Sequence, residues 1–121
     1  MIINFKVDNL NMMRKKLEAF TDFLTEQQVC EDDVFASKLV SCELLTNVIR
    51  HGGDEADFRG QLSDGDIRIT VSADSLKGLD INGDPPDVFA ESGRGLYIVK
   101  VFSNGIERGT DGEISVLIKR R

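Results

Sequence analysis

The sequence has few of the residues that build zinc sites or disulfide frameworks. It contains one histidine and two cysteines in 121 residues. Cys30 and Cys42 lack the spacing of metal ligands, and one histidine cannot complete a zinc site with them. Because Cys42 falls inside the apolar pattern of a predicted helix, we interpret both thiols as reduced core residues of a cytosolic protein. We expect no metal that is held by protein ligands alone.

Long apolar runs and an excess of basic residues are also missing. No run approaches the ~18 apolar residues of a membrane-spanning helix, and the amino terminus has no basic-then-apolar leader. We therefore expect a cytoplasmic protein without membrane contact. The formal charge of -6 and the sequence pI of about 4.7 argue against direct nucleic-acid binding, which depends on neutralising phosphates with basic side chains.

The chain has enough apolar material for one core of ordinary size. Hydrophobic residues make up 40% of it and charged residues 30%, with 7 phenylalanines and no tryptophan. A chain of this length has no room for a second core. We therefore expect a single domain over residues 1–121.

The first half of the chain predicts a strand followed by two helices. Residues 2–7 alternate apolar and polar side chains, and Asp8 or Asn9 can cap the next helix. That helix repeats apolar residues at helical spacing: Leu10, Met13, Leu17, Phe20 and Leu24. A break at 28–33 supplies acidic residues to the first turn of a second helix, where they favour the helix dipole, and this helix ends at 51–53. Its expected core residues are Phe35, Leu39, Cys42, Leu45 or Thr46, and Ile49.

In the second half, the period changes from helix to strand. Residues 56–62 and 66–72 alternate, and Ser63, Asp64 and Gly65 between them form a hairpin turn. Residues 73–92 show little periodicity, and long irregular loops are usually functional or mobile. A helix over 95–102 and a hairpin of strands 105–108 and 113–119 complete the chain. Helices grouped apart from the strands predict an α+β fold, a two-layer α/β sandwich with a mixed, mostly antiparallel sheet and helices on one face.

Two short motifs carry the chemistry. Glu43 and Asn47 lie one helical turn apart on the second helix and so share a face. Gly93 and Gly95 precede an apolar helix, where unpaired backbone N–H groups can face an anion. The two motifs together supply an acid (Glu43), an amide that can bind a metal (Asn47) and a helix start that can bind an anion. This combination indicates a Mg-nucleotide site. Taken singly, the first pair is usually a solvated helix face and the second a turn or cap.

These motifs, in this order, resemble those of the GHKL (Bergerat-fold) ATPases. Glu43 and Asn47, followed by His51 and Gly52, match the N-box of that superfamily, and residues 93–96 match its G2 box. The short length, the small lid and the lack of a phospho-accepting or sensor domain resemble the anti-sigma-factor serine/threonine kinases. The similarity covers nearly the whole chain, and it implies a histidine kinase-like ATPase domain that binds ATP and Mg²⁺.

The resemblance also implies a role for each matching residue. Asn47 would ligate Mg²⁺ through its side-chain oxygen, and Glu43 would be the catalytic base that deprotonates the attacking hydroxyl. Asp74 would accept the adenine amino group, with Gly78 in the same box. The backbone that closes over the phosphates, together with the helix start, would come from Gly93, Arg94, Gly95 and Leu96.

The G1 box of the family can be aligned with this chain in two ways. The preferred alignment uses Asp74 and Gly78, with Leu76 in place of the first glycine of the box. The other begins at Asp80 and leaves fewer residues for a lid. Arg94 is equally compatible with a surface role.

Three functions are compatible with these motifs. The first is an ATP-dependent serine/threonine kinase in transcription regulation, which inhibits a sigma factor and phosphorylates a small anti-sigma-factor antagonist. The second is a protein-binding module that has lost useful ATP affinity through Leu76. The third is a free-standing ATPase domain of a two-component pathway, since fold alone does not determine function. The first strand is also open to two interpretations, because Ile3, Phe5 and Val7 belong either to the core or to a homodimer interface.

Overall fold

A computed structural model describes residues 1–52, 55–74, 99 and 101–121, with the backbone only for 51 and 52. The elements within these ranges are β1 (Ile2–Val7), α1 (Leu10–Glu26), α2 (Glu31–Asn47), β2 (Ala56–Leu62), β3 (Asp66–Ser72), β4 (Gly105–Arg108) and β5 (Ile114–Lys119). α2 continues as a π-helical turn over Val48–Gly52. Val99, Val101 and Phe102 are also helical.

The described strands form one antiparallel sheet in the order β1-β2-β3-β5-β4. Because β5 pairs with both β3 and β4, the last strand of the chain lies inside the sheet. The register aligns Phe5, Phe58, Val71 and Ile114 across four strands, so one face of the sheet is apolar and packs against the helices. The predicted α+β, two-layer sandwich is confirmed, and every pair formed by the described strands is antiparallel.

Phenylalanine rings from both layers fill the centre of the core. Phe58 of β2 stacks on Phe5 with ring centroids 4.4 Å apart and meets the edge of Phe20 of α1 at 5.1 Å. Aromatic pairs of this kind contribute about 0.5–1.5 kcal/mol beyond the area that they bury. Val7 is fully buried, and Ile3 packs against the core, which favours the core interpretation of β1.

α1 follows the predicted apolar stripe. Met13, Leu17, Phe20 and Leu24 are buried. At its amino end, the Asn9 side-chain oxygen accepts a hydrogen bond from the Met12 backbone N–H at 2.8 Å. Asn9 is therefore the capping residue, and it satisfies one of the unpaired N–H groups of the first turn.

α1 ends in a Schellman motif that carries a glutamine at the left-handed position. The Val29 N–H donates to the Leu24 carbonyl at 3.1 Å, and the Gln28 N–H donates to the Thr25 carbonyl at 3.0 Å. Gln28 has a φ of 63°. Glycine is the usual residue at this position, because a Cβ in the left-handed region costs about 1–2 kcal/mol.

Gln28→Gly is therefore expected to raise the free energy of unfolding by about 0.5–1 kcal/mol, once the larger entropy of the unfolded glycine chain is subtracted. The neighbouring Gln27 has a φ of -87°, so Gln27→Gly removes no strain and is expected to lower stability. Urea unfolding of the two variants measures the difference. A lower free energy of unfolding in both glycine variants would contradict the inference that the backbone at Gln28 is strained.

The buried face of α2 differs from the predicted one. Among the expected core residues, Leu45 is fully buried, but Phe35 is 58% exposed and Cys42 is half-buried. The apolar side chains of this helix that are buried belong to Ala36, Val40, Leu44 and Leu45, and the buried polar ones to Asp33, Ser37 and Ser41. The prediction was wrong for Phe35, whereas Cys42 and Ile49 are half-buried and pack against the core. α2 contacts β3 and β5, and its buried residues include the small Ala36, Ser37 and Ser41, which carry little weight in an apolar pattern.

The two cysteines also occupy different environments. Cys30 is exposed, because it is the N-cap residue of α2, with an extended backbone and no capping hydrogen bond from its side chain. Its assignment to the core was wrong, since a cap position lies before the packed turns of the helix. Cys42 is half-buried. Within the described ranges, no helix has the length and apolar character to cross a membrane.

Candidate nucleotide site

The start of α2 is tied to the end of the sheet beyond β5. The buried carboxylate of Asp33 accepts a hydrogen bond from the Arg121 backbone N–H at 2.9 Å, and the Asp32 carboxylate contacts the Arg121 guanidinium at 2.7 Å. Glu31, Asp32 and Asp33 form the acidic first turn, as predicted from the helix dipole. These contacts place the start of α2 at the end of the sheet where β5 finishes.

α2 carries its carboxyl-terminal turn toward the opposite end of the sheet. Asn47 is about 21 Å from Asp33 along the helix, at about 1.5 Å per residue. Lys119 of β5 pairs with Asp66, so β3 starts at the tied end and runs away from it. Asp74, beyond the end of β3, is about 26 Å from Asp66 at roughly 3.3 Å per residue. Since α2 contacts β3 and β5, Asn47 and Asp74 belong to the same end of the molecule.

Glu43 and Asn47 lie in the last two turns of α2, on one face of the helix. Both are half-buried, and Val40 and Leu44 in the same turns are fully buried. Residues on a solvated helix face would be exposed, so the two polar side chains border the core. This burial favours the site interpretation of the pair over the solvated-face alternative.

The side-chain amide of Asn47 carries an unsatisfied polar atom. Its nitrogen is buried and has no hydrogen-bond partner in the described part of the chain. A buried polar group without a partner costs about 1–3 kcal/mol, and such groups need a specific explanation. Because a flip of the amide exchanges nitrogen and oxygen, the buried position suits a donor to a phosphate or an oxygen ligand of Mg²⁺. Asn47 therefore fits the predicted Mg-nucleotide role.

α2 widens directly after Asn47 into the π-helical turn. Turns of this kind interrupt the regular hydrogen-bond ladder and occur frequently at functional sites. Val48 is fully buried and anchors the turn, whereas Arg50 is exposed. The end of the turn at Gly52 agrees with the predicted helix end. The side chain of His51 lies outside the described residues.

Asp74 is the described member of the G1 box. It lies two residues beyond β3, the central strand of the sheet, and is exposed. Leu76 and Asp80, which distinguish the two alignments of this box, lie outside the described residues. The other predicted site residues outside the described ranges are Gly78, Gly93, Arg94, Gly95 and Leu96.

The helix predicted after the glycine pair is described only near its carboxyl end. Val99 is fully buried and belongs to the core. The Phe102 ring meets the edge of the Phe35 ring with centroids 6.1 Å apart. This part of the helix is therefore held against α2.

Two buried hydroxyls were not singled out by the sequence. Ser37 and Ser41 are fully buried on α2, and their oxygens have no hydrogen-bond partner among the described residues. Serines one turn apart are ordinary on an exposed helix face, so the sequence offered no signal. The same ranges contain no group of three or more His, Cys, Asp or Glu residues that could hold a metal.

The family model of the histidine kinase-like ATPase domain matches residues 7–119. The match includes all the described helices and strands after β1. The chain belongs to the histidine kinase-like ATPase domain family. The resemblance to the GHKL ATPases is thereby confirmed, and the N-box, G1 and G2 residues all lie within the matched part of this histidine kinase-like ATPase domain.

Two solved structures are similar to this histidine kinase-like ATPase domain. One is a chain of the SiaB–SiaC complex from Pseudomonas aeruginosa, with a TM-score of 0.63 and 12% identity, covering 98% of this chain and 88% of that chain. The other contains the RsbU and RsbW domains of Rv1364c from Mycobacterium tuberculosis, with a TM-score of 0.61 and 16% identity, covering 98% of this chain and 32% of that chain. At these identities the likeness shows the fold alone. No curated protein sequence matches the chain.

Proposed function

We propose that this protein is an ATP-binding serine/threonine kinase that acts as an anti-sigma regulatory factor and phosphorylates a small anti-sigma-factor antagonist. The observation that carries the proposal is the half-buried pair of Glu43 and Asn47, with its unsatisfied amide, in a histidine kinase-like ATPase domain. A protein partner is supported by the similar structures, since one is the SiaB–SiaC complex and the other combines RsbU and RsbW domains.

The substrate ATP, with Mg²⁺, would be bound by residues from three parts of the chain. Asn47 would hold Mg²⁺ through its amide oxygen, and the ion supplies neutralisation of the phosphate charge. Asp74 would accept a hydrogen bond from the adenine amino group. The remaining contacts would be made by Gly78, Gly93, Arg94, Gly95 and Leu96, the glycines allowing the backbone to approach the nucleotide.

Glu43 would act on the nucleophile. Its carboxylate would accept the proton of a serine or threonine hydroxyl on the antagonist, as the hydroxyl oxygen forms a bond to the γ-phosphorus. The bond between the γ-phosphorus and the β,γ-bridging oxygen breaks, and ADP leaves. Such a transfer depends mainly on positioning and charge neutralisation, so a small number of side chains is sufficient.

A protein-binding module without useful nucleotide affinity is the second candidate. Leu76 favours it, because it stands where the family has a glycine. At a position that needs positive φ or close ligand approach, a leucine would cost on the order of 1 kcal/mol or more, or it would occupy the space of the adenine. The two candidates differ in whether the protein binds ATP.

Mg-ATP is expected to raise the melting temperature of the protein, since a ligand specific for the native state stabilises that state by mass action. At a ligand concentration of one hundred times Kd, the free energy of unfolding rises by about 2.7 kcal/mol. Asp74→Asn is expected to abolish this shift and to leave the ligand-free melting temperature nearly unchanged. Asp64→Asn is the matched control, because Asp64 is an exposed acid in the turn between β2 and β3. Thermal-shift measurements on the three proteins test the proposal.

No shift at millimolar Mg-ATP, with the protein folded, would remove the kinase proposal and favour the binding module. A shift that persists in Asp74→Asn would instead retain ATP binding and reject the G1 alignment on Asp74.

A further inference from the structure

α1 and α2 form an antiparallel pair with a groove between them. Only four residues connect the two helices, and Thr46 Oγ1 lies 3.6 Å from Met13 Sδ, which sets their register. The groove has a volume of about 550 Å³. Its apolar lining includes the buried Met13 and Leu17 of α1 and the half-buried Cys42 of α2. We call this feature the helix groove.

The α2 side of the helix groove is a single stripe of residues at every fourth position: Lys38, Cys42, Thr46 and Arg50. Lys38 and Arg50 are about 18 Å apart along the helix, at about 1.5 Å per residue. Between them, Cys42 Sγ contacts Thr46 Oγ1 at 3.8 Å. The helix groove is therefore about three turns long, with weakly polar or apolar residues in the middle and cations at both ends.

The charge of the helix groove is opposite to that of the whole protein. The chain has 21 acidic and 15 basic residues. In the helix groove three basic side chains accompany one acidic side chain, and these are Arg14, Lys38, Arg50 and Glu18. Neither Arg14 nor Lys38 forms an ion pair with any residue in the ranges that the structure describes. A locally positive groove on an acidic protein attracts acidic partners to one place on the surface.

The walls of the helix groove favour a helical conformation for any peptide that binds in it. Both walls are α-helices, whose backbone N–H and C=O groups are bonded internally. An extended peptide in the groove would leave buried backbone groups without partners. A helix satisfies its own backbone and needs only side-chain contacts, as in other helix-in-groove complexes.

We propose that the helix groove binds an acidic amphipathic helix of a partner protein. The apolar side chains of that helix cover the half-buried Leu10 and Cys42. Carboxylates at its two ends pair with Lys38 at one end of the helix groove and Arg14 at the other. The middle of the helix groove faces away from the nucleotide site, because Cys42 and Thr46 each precede a site residue by one position and so point about 100° away from it. The proposal therefore does not depend on the kinase activity.

The probe is a fluorescein-labelled helical peptide of about 15 residues, with leucines at helical spacing and glutamates in its first and last turns. Its matched version carries glutamines in place of the glutamates. Fluorescence anisotropy without nucleotide is expected to show binding of the acidic peptide and at least about tenfold weaker binding of the glutamine peptide.

The double variant Arg14→Glu/Lys38→Glu is expected to bind the acidic peptide at least about tenfold more weakly, and to regain affinity for a peptide with lysines at the glutamate positions. The control Lys15→Glu/Lys119→Glu carries the same change in net charge on exposed residues outside the helix groove, and it should bind like the wild type. Backbone amide shifts of Cys42 and Thr46 should change on titration.

Four results would overturn the proposal. The first is no binding of the acidic peptide by the wild type, and the second is equal binding of the acidic and glutamine peptides. The third is an equal loss of affinity in the control variant, which would indicate a general charge effect. Self-association of the wild type that the Arg14→Glu/Lys38→Glu variant lacks would assign the helix groove to a second copy and would also overturn it.

Discussion

Glu43→Ala is expected to abolish phosphoryl transfer to the antagonist while leaving Mg-ATP affinity nearly unchanged. In the proposed mechanism the carboxylate acts on the attacking hydroxyl and not on the nucleotide. Loss of a general base lowers the rate by about 10²–10⁴-fold. Single-turnover transfer from γ-labelled ATP measures the rate, and calorimetry with ATP and Mg²⁺ measures the affinity. Glu26→Ala is the matched control, since Glu26 is an exposed glutamate at the end of α1.

Asn47→Ala is the companion variant, and the expected pattern is different. It removes the proposed Mg²⁺ ligand, so both ATP affinity and phosphoryl transfer should fall. Without nucleotide, the same change should not lower the free energy of unfolding, because it removes the buried amide nitrogen that lacks a partner among the described residues. The largest gain expected is about 3 kcal/mol, the upper cost of an unsatisfied buried polar group. Equal losses of ATP affinity in Glu43→Ala and Asn47→Ala would show that the roles are wrongly assigned.

The second large effect is expected at Gly60, which is buried in β2. A Cβ there would lie 2.6 Å from Phe20 Cε1 and 3.2 Å from Ile3 Cγ2. The Phe20 ring is fully buried and held edge-on against Phe58, so it has little room to move. Overpacking of this kind costs typically about 1–3 kcal/mol. Gly60→Ala should reach that range, and Gly60→Val should exceed it.

Gly65→Ala is the matched control for Gly60. A Cβ at Gly65, in the turn between β2 and β3, meets nothing within 4 Å, so this change should be neutral or slightly stabilising through the unfolded chain. Urea unfolding compares the three variants. Combining Gly60→Ala with Phe20→Leu should recover part of the loss, because the two sites are in contact and their effects are not additive. Equal stabilities of Gly60→Ala and Gly65→Ala would contradict the close approach.

The strands and the first helix could be predicted from the sequence because their signals are local. The alternation in residues 56–62 and 66–72 gave both bounds of β2 and β3, with the turn residues between them. The stripe from Met13 to Leu24 gave the buried face of α1. The N-box pair could also be recognised, since Glu43 and Asn47 lie one turn apart on any helix. The assignments at Gly78 and residues 93–96 stay predictions.

The sequence by itself determined the described strands, α1 and α2, the family and the candidate residues Glu43, Asn47 and Asp74. Only the tertiary structure decided which side of α2 is buried, because the small Ala36, Ser37 and Ser41 are buried there beside Val40, Leu44 and Leu45, whereas Phe35 is exposed. Only it placed β5 between β3 and β4, since strand order depends on which edges meet and not on alternation. The unsatisfied Asn47 amide and the cations of the helix groove likewise depend on neighbours distant in sequence. Local periodicity carries no information about such neighbours. They come together only when the helices pack on the sheet.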